Sequence, residues 1–96
     1  MELTMLQRHK NLLANKLDQL WYEGVVKIER WEMVSIFQKE RVTVKDWRAV
    51  SEAWTEMYES PEKADDLNYI EVRNGEQPLP AAYLIYIKRY GKALPA

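Results

Sequence analysis

The chain of 96 residues has no cysteine, a single histidine, three glycines and four prolines. Each scarcity excludes something. Without cysteine there is neither a disulfide framework nor thiolate chemistry. The lone His9 has no cysteine partner, and Ser35, Ser51 and Ser60 sit outside any nucleophile-elbow context. Gly24, Gly75 and Gly91 are too far apart for a phosphate-cradling loop. Asp65-Asp66-x-Asn68 offers oxygen ligands but lacks the glycine and closing glutamate of a calcium loop. The expectation is therefore a non-enzymatic protein with no catalytic residues, no metal and no cofactor.

Long apolar runs are also missing. The longest, such as Ala81 to Ile87, fall far short of the roughly 20 residues that span a bilayer. The opening Met1-Glu2-Leu3-Thr4 shows no basic segment leading into an apolar one, so a cytoplasmic protein without membrane contact is expected. No repeat or low-complexity tract divides the chain, which reads as one domain over residues 1–96. Hydrophobic residues make up 47% and charged residues 30%, a globular composition.

What is abundant is tryptophan: Trp21, Trp31, Trp47 and Trp54. Charge is unevenly spread. Residues 1–50 carry a balance of +2, residues 51–76 one of −6, and residues 77–96 one of +3. An acidic block thus lies between weakly basic flanks.

Periodicity predicts mostly helices. Leu3, Leu6, Leu13, Leu17, Leu20 and Trp21 fall on one face of a helix over 2–22, closed by Gly24. A second helix is expected over 26–40, with a short strand at 25–28 as the alternative. Thr43-Val44-Lys45-Asp46 resembles a capping box, and Val44, Trp47, Val50, Trp54, Met57 and Tyr58 follow at helical spacing, giving a helix over 44–59. Ser60-Pro61-Glu62 can cap a further short helix. Tyr69 to Arg73 looks extended, with Asn74-Gly75 as a turn. Ala81 to Tyr90 has strand-forming side chains but helix punctuation, and a helix is favoured over a strand. The expected fold class is mainly α: a small single-domain helical bundle of three to four helices, with one short extended segment or hairpin near 69–76. Trp47, Val50, Trp54 and Met57 should face the leucine stripe of the first helix.

Two features suggest a partner. On the expected second helix, Val26, Met33, Ile36 and Phe37 share one side, while Ile28 and Trp31 point the other way. Trp31 can then anchor an interface, as tryptophan often does. On the third helix, Glu52, Glu56 and Glu59 form an acidic ridge where the macrodipole prefers cations. The function expected is a protein that docks on another protein as inhibitor, adaptor or accessory subunit. Its interface would comprise Ile28, Trp31, Glu52, Glu56 and Glu59. The partner would carry a basic surface, or be a second copy in a homodimer. Such a chain suits a phage or mobile-element accessory factor with a regulatory role.

The alternative is a helix–turn–helix nucleic-acid regulator using residues 26–59, with Lys39, Arg41, Lys45 and Arg48 clustered at its turn and Asn74-Gly75 marking a wing. Over residues 43–59, Lys45 and Arg48 are outnumbered by Asp46, Glu52, Glu56 and Glu59, a balance of −2. Nucleic-acid affinity comes largely from neutralising phosphates, so this sign ranks the alternative second.

Overall fold

A computed structural model describes residues 7–95. Leu3 and Leu6 of the expected leucine stripe lie outside the described residues, as does the side chain of His9.

Helix α1 spans Gln7–Glu23. Its stripe of Leu13, Leu17 and Leu20 is buried to 5% exposure or less. Gly24 stops it: the residue takes φ +81°, a conformation that costs glycine little, and its amide donates to the Leu20 carbonyl at 2.8 Å. The chain leaves directly into strand β1, Val25–Glu29.

The helix expected over 26–40 is therefore divided. Residues 25–29 form β1, and only Arg30–Phe37 form helix α2. The junction has a local cause. The Glu32 carboxylate reaches back and accepts the Glu29 amide at 2.9 Å, which starts the helix at Arg30. Lys16 of α1 pairs with the same carboxylate at 3.0 Å and donates to the Lys27 carbonyl at 3.2 Å, tying α1 to both elements. Gln38 closes α2 in the left-handed region at φ 58°.

Helix α3 spans Val44–Thr55. It starts where the capping box placed it, with the Asp46 carboxylate accepting the Thr43 amide at 2.8 Å. It ends four residues short of the expected Glu59. Past Glu56 the amides of Met57 and Tyr58 turn to carbonyls three residues back, Trp54 and Thr55, and the helix tightens out. The short helix expected after Ser60 is a single 3₁₀ turn at Pro61–Lys63.

Strands β2, Leu67–Val72, and β3, Ala82–Ile87, complete a three-stranded antiparallel sheet in the order β1–β3–β2. This overturns the mainly α bundle: the described residues form an α+β fold of three α-helices and a sheet. The segment favoured as a helix over 81–90 is the central strand, because β1 and β2 pair with its two edges. Val26 and Tyr69 both face Ile85, and Ile28 and Glu71 both face Tyr83. The punctuation at Lys88, Arg89 and Gly91 belongs to a 3₁₀ turn at Lys88–Tyr90 that follows the strand.

The helices cover one face of the sheet. Val26, Ile28, Tyr83, Ile85 and Ile87 are buried there with Met33, Ile36, Val50 and Trp54. The alternate positions Val25 and Ile70 remain exposed on the other face. Trp54 packs 5.6 Å from Trp21 of α1, as the face-matching expectation required. Trp47 does not follow it: its ring stacks on Tyr69 of β2 at 4.0 Å and lies edge-on to Tyr83 of β3 at 5.2 Å.

Candidate nucleic-acid interface

Two tryptophans seven residues apart fix how α3 lies against β2. Late in the helix, the Trp54 indole donates to the Asp65 carbonyl at 2.9 Å, just before β2 begins. Early in the helix, Trp47 stacks on Tyr69 in the middle of that strand. The helix and strand therefore run in opposite directions. Strand β2 carries the chain back toward the start of α3, and the β2–β3 connection over 73–81 emerges at that end. The order helix, strand, helix, helix, strand, strand places two consecutive helices, α2 and α3, ahead of a β-hairpin whose connection over 73–81 is the wing.

The wing is held by its own contacts. The Ala81 amide donates to the Val72 carbonyl at 2.7 Å, and Asn74-Gly75 forms the turn with the Gln77 amide on the Asn74 carbonyl at 3.2 Å. Arg73 pairs with Glu71 at 3.0 Å and donates to the Pro78 carbonyl at 3.3 Å.

At the start of α3, one acid and one base neutralise each other. Asp46 is only 5% exposed and pairs with Lys39 at 2.9 Å. Burial pushes its carboxyl up, but the Thr43 amide, the Lys39 ammonium and the Thr43 hydroxyl together hold it below its ordinary value. Asp46 is thus engaged in capping and offsets the charge of Lys39. Around it, Arg41, Lys45 and Arg48 are exposed and enter no ion pair among the described residues. Glu40 is the exposed acid beside them.

The expected interface residues do not form one surface. Ile28 is fully buried in β1, opposite Tyr83, so it cannot present itself beside Trp31. Trp31, in the first turn of α2, is 64% exposed. Glu52 lies in α3, Glu56 caps its end and Glu59 follows the helix; all three are exposed. They occupy the end of α3 away from the wing. Arg73 is absent from both expected sites, whereas the wing belongs to the helix–turn–helix alternative, which Asn74-Gly75 marks in the sequence.

Among the described residues no group of acids and histidine could hold a metal, and no helix is long and apolar enough to cross a membrane. No family model, curated protein or solved structure matches this chain.

Proposed function

We propose that this chain is a non-enzymatic regulator that binds duplex nucleic acid with the first turns of α3 and the hairpin wing. The observation that carries the reading is the placement of Arg41, Lys45 and Arg48, unpaired and exposed, at the end of α3 from which the wing emerges. In a helix–turn–helix, the start of the second helix approaches the base edges while flanking groups hold phosphates. Arg41 and Lys45 suit phosphates, and Arg48, one turn further on, suits a phosphate or a base edge. The exposed backbone of the wing would follow the adjacent strand. The acids beyond Glu52 would point away from the phosphates and limit how the helix can lie.

Fluorescence anisotropy with a labelled duplex at low salt tests this. The wild-type chain should bind, and R41E/K45E/R48E should bind at least about a hundredfold more weakly with unchanged melting temperature. Equal binding by both proteins would end the proposal.

A second reading rests on Trp31. An indole 64% exposed in the first turn of a short helix favours docking on another protein, as an inhibitor, adaptor or accessory subunit. Glu52, Glu56 and Glu59 would then face a basic surface on that partner. Trp31→Ala should leave the melting temperature intact and abolish partner capture; retained capture would remove this reading. A cytoplasmic setting belongs to both.

A further inference from the structure

On the sheet face that no helix covers, a cleft of about 740 Å³ runs between the end of α1, the open face and the chain after β3. Its size falls within the range of small-molecule sites. Val25 and Ile70, 42% and 52% exposed, form an apolar floor with the Tyr86 ring. Tyr90 stands at the side, 53% exposed, with the Arg89 guanidinium 4.5 Å above its ring. Arg89 is itself held by Asp65 at 2.8 Å, which steadies the Tyr90 ring. The Tyr86 hydroxyl accepts the Asn68 amide at 3.4 Å. Gly91 lets the following chain lie close to Tyr86: a Cβ there would come within 2.8 Å of the ring.

The rim is basic. Lys88 and Lys92 line the cleft, are exposed, and enter no ion pair among the described residues. The acid among the lining residues is Glu23, whose carboxylate accepts the Gln19 amide at 3.0 Å. Two tyrosine rings over an apolar floor suit a flat aromatic group, Asn68 can read a polar edge, and two free ammonium groups suit a phosphate.

We propose that this cleft binds a free nucleoside monophosphate, with the base on Tyr86 and Tyr90 and the phosphate between Lys88 and Lys92. The site lies on the open sheet face and does not depend on the α3 surface. The fit comes from the pairing of the ligand's parts with the cleft. A base alone leaves the lysines unanswered, and a phosphate alone leaves the rings bare.

The test is a nuclear magnetic resonance titration of the isotope-labelled full chain with adenosine and guanosine monophosphates, inorganic phosphate and an oligothymidylate. Saturable shifts confined to Val25, Ile70, Tyr86, Lys88 and Lys92 are expected with a nucleotide. K88E/K92E should weaken the effect at least about tenfold without changing the melting temperature, and Y86L should weaken it while keeping the lysines. The proposal is overturned by no saturable shifts at millimolar nucleotide, by an equal response to inorganic phosphate, by shifts centred on α3, or by insensitivity to the lysine reversal. Tighter binding of the oligothymidylate than of either mononucleotide would also overturn it, and would assign the cleft to a single strand.

Discussion

The two ends of α3 share an anchoring device and oppose each other in charge. Each end is pinned by a tryptophan to β2 or its approach: Trp47 to Tyr69, and Trp54 to the Asp65 carbonyl. At the N-terminal end the acid is buried and matched to Lys39, which leaves Arg41, Lys45 and Arg48 outward. At the C-terminal end Glu52, Glu56 and Glu59 are outward and enter no ion pair among the described residues. A summed charge of −2 over the segment conceals this. The exposed surface of α3 is a dipolar ridge, and the cationic end is the one the wing flanks. Charge counted along a sequence is a poor guide where an ion pair offsets some of the charges and a helix separates the rest.

The sharpest break of the comparison removes the anchor of the acidic end. Trp54 is 1% exposed, so Trp54→Ala should cost about 3–5 kcal/mol, read by denaturant unfolding. Trp31, 64% exposed, should cost less than about 0.5 kcal/mol when replaced by alanine. Near-equal losses would contradict the packing described here.

Charge at the cationic end comes next. Reversing Arg41, Lys45 and Arg48 together should lower duplex affinity by two decades or more, about 3 kcal/mol, with little effect on folding. A comparable loss of stability would mean that these side chains hold the fold.

Asp46 offers a smaller effect with a definite pH signature. Its carboxyl is held below its ordinary value, so its contribution is complete above the unfolded-state value and fades as pH falls through the lower folded-state one. Asp46→Asn should cost about 1 kcal/mol at neutral pH, the scale of a lost cap. The wild-type chain should lose that advantage on acidification below about pH 4, where the two stability curves converge. Parallel curves through that range would exclude the cap and the Lys39 pair as its source.

The mildest test works on the acidic end. Glu52→Lys with Glu56→Lys should raise duplex affinity by a few-fold at low salt, because these acids sit away from the contact. A gain larger than the loss caused by reversing the cations would show that the ridge, rather than the start of α3, faces the nucleic acid.

The parts of this fold that could be read in advance are those decided locally. The start of α3 depends on Thr43 and Asp46, three residues apart, and on a spacing that Val50 and Trp54 satisfy within the same helix. The end of α1 depends on Gly24. What escaped depends on distant partners. Ala82–Ile87 carries the helix-like ending Lys88-Arg89-x-Gly91, and only pairing with residues 25–29 and 67–72 makes it a strand. On a helix Ile28 would lie beside Trp31; in a strand it turns to the core. The cations Lys39, Arg41, Lys45 and Arg48 stand out in the sequence, but there they belong to the second-ranked reading, while the first-ranked interface is Ile28, Trp31, Glu52, Glu56 and Glu59. The candidate site was illegible in its geometry, because the burial of Asp46 and the position of the wing follow from how β2 packs against α3.

The most direct test of the central claim is the salt dependence of duplex binding. If Arg41, Lys45 and Arg48 each neutralise one phosphate, a plot of log affinity against log salt should have a slope of about −3. Each single reversal should make it shallower by about one. A wild-type chain that shows no duplex binding at low salt, or a slope unmoved by these reversals, would contradict the account.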